Sequence, residues 1–133
     1  MLQLINMKKL LGIVVLGLFL SSNAYAKDLT GTKLICKSPK EKNYRTISID
    51  FIDAYEAIRF EIKEWKLSKR KLVYIVEPDQ IRVGMWITID RETLTIGYGT
   101  TPCEIVDKDF DLDLHMQNIL NDHLKEQESK NKI

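Results

Sequence analysis

The sequence predicts a mainly β domain, either a small antiparallel meander barrel of about eight short strands or a tight sandwich, with one C-terminal amphipathic helix. Three observations predict this class. Apolar and polar residues alternate with a period of two through much of residues 45–97, short polar turns separate the alternating runs, and the period becomes helical after residue 109. Evenly spaced strands with short connections are typical of a meander closed into a barrel or folded as a sandwich.

In each expected strand, most apolar residues share one parity and polar residues lie between them. The expected strands are 32–37, 45–52, 57–64, 70–77, 80–83, 85–90, 93–97 and 103–106. Bulky residues on these strands are expected to face and fill the interior. The expected inward set is Ile47, Phe51, Phe60, Ile62, Ile87 and Ile89. Turns are expected at Glu77–Gln80 and Asp90–Thr93, and Gly84 indicates a bend or bulge in a long strand.

The helix is predicted from Leu112, Met116, Ile119, Leu120 and Leu124, which form one stripe at helical spacing. We expect this helix to cover a sheet edge or a barrel mouth. It closes a single disulfide-linked domain over residues 27–125, and residues 126–133 are expected to form a flexible tail.

Aspartates at 107, 109, 111 and 113 precede this stripe and match the first positions of a calcium loop. That loop also needs a glycine and a glutamate where this chain has Leu112 and Asn118. The acidic stretch is therefore interpreted as the start of the helix, where carboxylates accept hydrogen bonds from unpaired N–H groups. No metal site is predicted.

The N-terminus has the layout of a secretory signal peptide. Lys8 and Lys9 precede an 11-residue apolar run, and Ala24-Tyr-Ala26 supplies a cleavage signature. The run is too short to span a bilayer, which needs about 20 residues. Residues 1–26 are therefore predicted to be removed, with Met1 or Met7 as the start. The mature protein is expected in the periplasm or secreted from a bacterial cell, with no stable membrane span.

The mature chain would have 107 residues and a net charge of −1. A near-neutral balance argues against general nucleic-acid binding, which relies on a basic surface. Its two cysteines, Cys36 and Cys103, lie near opposite ends of the domain. In an oxidising compartment they favour a structural disulfide, which would stabilise the fold by about 4 kcal/mol in the chain-entropy model. A metal or redox pair is the alternative, but no Cys-x-x-Cys motif or nearby histidine supports it.

Two regions are candidate binding surfaces. The basic segment 63–71 lies between two expected strands and is interpreted as an exposed hairpin tip. Its candidate binding residues are Trp65, Lys66, Lys69, Arg70 and Lys71. Trp86 is the second candidate, because its parity is opposite to the apolar set. It would be a binding anchor if exposed, although packing beneath the C-terminal helix is the favoured interpretation.

Motifs for catalysis are missing from the sequence. There is no Gly-x-Ser-x-Gly elbow and no glycine-rich phosphate loop, and His115 and His123 lack the spacing of a helical zinc pair. No catalytic residue and no cofactor is predicted, and the protein is not expected to be an enzyme.

Leu34-Ile-Cys36 opens the first strand, and the stretch from Met85 to Leu94 leads to Cys103. With the signal peptide, this architecture resembles the small periplasmic lysozyme inhibitors, which are antiparallel barrels with a terminal disulfide. The Ser-Gly-x-x-Tyr motif of that family's inhibitory loop is missing here, so the resemblance carries over no functional residue.

The expected function is that of an exported, non-enzymatic β-barrel module, inhibitor-like or accessory, that binds a macromolecular partner such as an envelope protein or glycan. The alternative is a small carrier that holds an apolar ligand inside the barrel, because about eight strands can enclose one small ligand. A bulky inward set favours the first function. A hydrolase that uses unrecognised carboxylates is a third possibility. The identity of the partner and the oligomeric state do not follow from the sequence.

Overall fold

The computed structural model describes residues 29–97, 99–131 and 133. Within these residues, eight antiparallel strands form a closed barrel in sequential order, as the alternation predicts. The strands are β1 (Lys33–Cys36), β2 (Ile47–Phe51), β3 (Glu56–Lys63), β4 (Lys66–Val76), β5 (Gln80–Val83), β6 (Ile87–Asp90), β7 (Thr95–Ile96) and β8 (Thr101–Val106). The helix α1 (Leu112–Lys130) follows the barrel, and a 3-10 helix, Asn43–Arg45, precedes β2.

The barrel closes where β1 pairs with β8. In this register Leu34 faces Ile105 and Cys36 faces Cys103. Cys36 and Cys103 form a disulfide there, across 67 positions of sequence. The predicted pairing is therefore confirmed, and the cross-link joins the first and last strands of the barrel.

The β3–β4 hairpin differs from the prediction. Its turn contains only Glu64 and Trp65, both with positive φ (51° and 67°), and β4 begins at Lys66 rather than at residue 70. A two-residue turn with positive φ at both positions follows the twist of the flanking strands. Most of the basic segment is therefore strand. Gly84 begins the turn between β5 and β6, so the bulge within one long strand was a wrong prediction.

Apolar side chains fill the barrel interior and are at most 8% exposed. They are Leu34, Cys36, Ile49, Phe51, Ala57, Tyr74, Ile81, Val83, Ile87, Ile89 and Ile96. The prediction that Phe60 and Ile62 face inward was wrong. Ile49 pairs with Arg59, so the polar residues of β3 lie on the same face of the sheet as the buried Ile49. Phe60 pairs with Ser48 and lies on the opposite face.

The helix α1 packs on the outer surface of the barrel, not on a mouth or an edge. Leu112 and Met116 are buried against Phe60, and Ile58 and Ile62 pack around them. The bulky apolar residues of β3 thus face outward, because α1 covers the outer face of the sheet.

The acidic stretch begins α1, as predicted: Asp111 is the N-cap, and its Oδ1 accepts from the N–H of Leu114 at 2.9 Å. The helix continues to Lys130. Residues 126–130 therefore belong to α1, which extends past the expected boundary at residue 125, and the flexibility of the C-terminal segment stays a prediction.

The predicted signal peptide, residues 1–26, lies outside the described residues. Among the described residues, no helix has the length and apolar character needed to cross a membrane.

Candidate functional site

Trp86 lies in the turn between β5 and β6, and its side chain is 82% exposed. The prediction that it packs under the C-terminal helix was therefore wrong. Gly84 begins the turn with φ of 62°, and Val83 pairs with Ile87 across it. Met85 and Trp86 occupy the two following turn positions and project away from the barrel, which explains why strand parity did not locate Trp86.

A groove of about 590 Å³ lies next to Trp86 on the outer face of β5, β6 and β7. We call it the Trp86 groove. Its polar lining residues are Asp79, Gln80, Thr88, Asp90, Thr93 and Thr95. Asp90 pairs with both Gln80 and Thr95 across the sheet, so these side chains share one face, opposite the buried Ile81 and Ile89. The groove therefore has a polar floor with an exposed indole at its rim.

Asp90 is a charged group on this floor, and Asp79 also lines the groove. Its Oδ1 accepts from the main-chain N–H groups of Thr93 at 3.0 Å and Glu92 at 2.9 Å. These two hydrogen bonds, that from Thr93 first, hold the pKa of the Asp90 carboxyl below its usual range. Asp90 is thus a carboxylate at neutral pH, and it presents acceptor oxygens to the groove. The hydroxyls of Thr93 and Thr95 lie 2.7 Å apart in the same groove.

The basic candidate residues lie along β4. Lys69 forms an ion pair with Asp113 of the first turn of α1, and the Nζ of Lys71 lies 3.9 Å from Glu56. Lys66 and Arg70 are exposed, and within the part of the chain that the structure describes they have no ion-pair partner. Of these four candidate cations, Lys69 and Lys71 therefore lie beside a carboxylate and the other two do not.

Trp65, at the β3–β4 turn, stacks on the imidazole of His123 from α1, with ring centres 4.7 Å apart. Tyr44 of the 3-10 helix stacks on the same imidazole at 4.1 Å. His123 therefore links three elements that are distant in sequence. Sequence reasoning missed this triple stack, because nothing in the spacing of Tyr44, Trp65 and His123 indicates contact. Trp65 is still 52% exposed, but one face of its ring is occupied.

A charged cluster lies on the polar parity of β3, and sequence reasoning missed it too. Arg59 donates through Nη2 to Glu61 at 2.7 Å, and Lys63 lies 3.0 Å from the other carboxylate oxygen. The side chains of Arg59 and Glu61 are only 14% and 12% exposed. The alternation of these charged residues with Ile58, Phe60 and Ile62 could have located the cluster. The prediction assigned the apolar residues, rather than the charged ones, to the inner face.

The structure does not bring the two candidate tryptophans together. The N–H of Gly84 donates to the C=O of Val73 at 2.8 Å, which sets the Trp86 turn level with Val73. Val73 lies eight positions along the chain from Trp65, a distance of about 26 Å at 3.3 Å per residue. The candidate residues therefore form two separate surfaces, the Trp86 groove and the basic part of β4.

Metal-ligating side chains do not cluster in the described residues: no group of three or more His, Cys, Asp or Glu residues could hold a metal ion there. Comparison of the chain with protein families, curated proteins and solved structures gives no match. The architectural resemblance to lysozyme inhibitors stays a prediction.

Proposed function

We propose that this protein is an exported, non-enzymatic module that binds a glycan of the cell envelope in the Trp86 groove. The observation that carries the proposal is the 82% exposed indole of Trp86 at the rim of a groove lined by hydroxyl, amide and carboxylate groups. Large aromatic side chains that are exposed on a protein surface are characteristic of binding anchors.

The chemistry of the Trp86 groove matches a sugar ring. A pyranose has a face of C–H groups, which can lie against an indole, and a rim of hydroxyls, which need donors and acceptors. Thr88, Thr93 and Thr95 can donate and accept, Gln80 offers an amide, and Asp90 is an acceptor. Few apolar side chains line the floor, so an apolar ligand would leave these polar groups unpaired.

The carrier function is less well supported, because side chains occupy the barrel interior. Phe51 and Ile89 are fully buried there, and Tyr74 packs edge-on against Phe51 with ring centres 4.8 Å apart. A ligand in the interior would have to displace this packing.

Export is supported by two features. The N-terminal segment has the pattern of a signal peptide, and the Cys36–Cys103 disulfide suits an oxidising compartment. A periplasmic or secreted location would place the groove beside envelope glycans.

The test measures binding of soluble peptidoglycan fragments and β-linked N-acetylglucosamine oligomers by calorimetry. We expect wild type to bind at least one of these glycans. Trp86→Ala should bind the same glycan about tenfold or more weakly, since an aromatic anchor that becomes buried on binding contributes about 1.4 kcal/mol or more. Met85→Ala is the matched control. Met85 is the adjacent turn residue and is 88% exposed, but it does not line the groove.

Equal affinities of wild type and Trp86→Ala would contradict the proposal, as would the failure of wild type to bind any of these glycans. Native mass spectrometry of protein purified from its own host is the complementary measurement. A retained mass of lipid size would support the carrier function instead.

A further inference from the structure

The strand β4 has a long unpaired edge. One edge of β4 pairs with β3 from Lys66 to Val73. The other edge pairs with β5 only from Tyr74 to Val76. The Val73 carbonyl makes the last contact on the β5 side, accepting from Gly84. Among the described residues, no strand pairs with the other edge of β4 over Lys66–Leu72. We call this stretch the free basic edge.

The hydrogen-bond pattern identifies which main-chain groups this edge presents. Tyr74 donates its N–H to Tyr55, on the β3 side, whereas the Val73 carbonyl points to the β5 side. Successive residues of an antiparallel strand alternate in this way. The N–H and C=O groups of Leu67, Lys69 and Lys71 therefore point toward the free edge. These three residues offer alternating donors and acceptors in the spacing that an added strand requires.

The free basic edge is strongly cationic. It contains Lys66, Lys69, Arg70 and Lys71 and no acidic residue. Its ladder with β3 also places like charges directly opposite each other, Lys63 against Lys66 and Arg59 against Arg70. Like charges in such cross-strand pairs destabilise a sheet, and a nearby anion offsets the repulsion. Glu61 is the acidic side chain on this face of the hairpin, and both Arg59 and Lys63 already share it.

We infer that the free basic edge binds an extended, acidic segment of a protein partner as an additional β-strand. An extended peptide supplies donors and acceptors to the three free residues, and its carboxylates pair with Lys66 and Arg70, which lack partners in the described structure. The inference is independent of the glycan proposal, because the Trp86 groove lies at a different part of the surface.

Two other occupants fit less well. A second copy of this chain would place one basic edge against another, which lysines on edge strands oppose. A phosphate polymer offers acceptors for the three N–H groups but no donor for the three carbonyls. The alternation of main-chain donors and acceptors therefore favours a peptide.

The experiment uses the mature chain and a fluorescein-labelled peptide, Thr-Glu-Val-Glu-Val-Glu-Thr, and measures binding by fluorescence anisotropy. A matched peptide carries N-methyl groups on alternate residues, which keep its charge but remove its N–H donors on one edge. Both strand orientations and both registers of methylation are tested. We expect methylation on the bonding edge to weaken binding about tenfold or more, since main-chain hydrogen bonds supply the affinity.

Two protein variants test the edge itself. Arg70→Glu is expected to weaken binding about tenfold, and Lys108→Glu, the same charge change in an exposed turn outside β4, is expected to have less than about a twofold effect. Amide hydrogen exchange gives the structural readout. On binding, the amides of Leu67, Lys69 and Lys71 should become slower to exchange in wild type.

Equal binding of all methylated and unmethylated peptides would overturn the inference, because it would leave only charge attraction. Unchanged exchange at Leu67, Lys69 and Lys71 in the saturated complex would also overturn it. Slow exchange at these amides without peptide, together with a dimer in sedimentation, would assign the edge to a second copy instead.

Discussion

Asp53 stabilises the connection between β2 and β3 through a single carboxylate oxygen. Its Oδ1 accepts from the main-chain N–H groups of Tyr55 at 2.8 Å and Glu56 at 2.7 Å. These bonds, that from Tyr55 first, lower the pKa of the Asp53 carboxyl. A carboxyl whose pKa is lower in the folded than in the unfolded state stabilises the fold above its unfolded pKa. That contribution is lost as pH falls through the folded pKa.

Substitution of Asp53 tests this linkage. Asp53→Ala should lower the urea midpoint at pH 7, and the difference from wild type should shrink as pH falls below the ordinary aspartate range of about 4. Asp53→Asn is the matched control, because it keeps an acceptor oxygen but does not ionise. A difference between wild type and Asp53→Ala that stays constant from pH 7 to pH 2.5 would contradict the assignment.

At the residue scale, alternation identified which positions are alike but not which face each set occupies. Phe60 and Glu61 are adjacent in β3, and both are at least nine-tenths buried, Phe60 beneath α1 and Glu61 on the opposite face. Apolar parity is assigned to the interior only when the other face meets water. The helix on the outer face removes that condition for β3, so Phe60 and Ile62 were misassigned whereas Ile87 and Ile89 were not.

At the scale of elements, turn geometry decides where strands end. The β5–β6 turn begins at Gly84, whose φ of 62° suits a residue without a side chain. A Cβ at this position would also lie 3.3 Å from both terminal methyls of Leu72. Gly84 thus has two reasons to be glycine, whereas Gly31, at φ of 85°, has open space around its missing Cβ.

The pair Gly84→Ala and Gly31→Ala separates these reasons. Both variants place alanine at positive φ, which costs about 1 kcal/mol. Gly84→Ala should lose about 1 kcal/mol more in the free energy of unfolding, because Leu72 must shift to admit the methyl group. Denaturant unfolding of both variants measures the difference. Equal losses would show that Leu72 yields without cost.

The basic segment shows why element boundaries were harder to predict than the existence of the elements. Four cations within residues 66–71 indicate a solvated loop by composition. The segment forms a strand because its register with β3 places Leu67 beside Ile62 under α1, while the charged side chains stay exposed. Composition reports exposure, but here tertiary packing decides the backbone conformation. The four candidate cations were correctly predicted to be exposed. The sequence did not indicate that they lie in an edge strand.

At the scale of the whole molecule, the fold has two apolar layers, one inside the barrel and one between the barrel and α1. Met116 is central to the second layer. It is fully buried, and its Sδ accepts from the hydroxyl of Ser48 at 3.2 Å. Ser48 is itself fully buried on β2, so the helix also satisfies a polar group of the barrel wall.

Met116→Ala should therefore lower the free energy of unfolding by about 3 kcal/mol, through lost burial and the cavity that remains. Leu124→Ala is the matched control on the same helix, because Leu124 is 40% exposed. Its loss should be below about 1 kcal/mol. Thermal and denaturant unfolding measure both values. A single transition for Met116→Ala would show that the two layers unfold together, and a small loss would contradict the central role of Met116.

Class, strand order and the disulfide could be predicted at this scale, because they follow from alternation, short connections and an even number of cysteines. The surface of the barrel on which α1 packs could not be predicted, since the apolar stripe of the helix fits any apolar surface. The location of the Trp86 groove depends on a turn that strand parity does not describe. The unpaired edge of β4 depends on the unequal lengths of β4 and β5, eleven and four residues.

The cross-link between β1 and β8 makes most of the barrel part of one covalent ring. The ring runs from Cys36 through the intervening strands to Cys103 and back through sulfur, and α1 lies outside it. A protease that cuts one exposed turn within the ring therefore opens the chain without releasing a piece. The nicked molecule keeps all its strands attached until a reductant removes the bridge. If the protein is exported, as we propose, cleavage of one turn by an extracellular protease would leave every strand of the barrel attached.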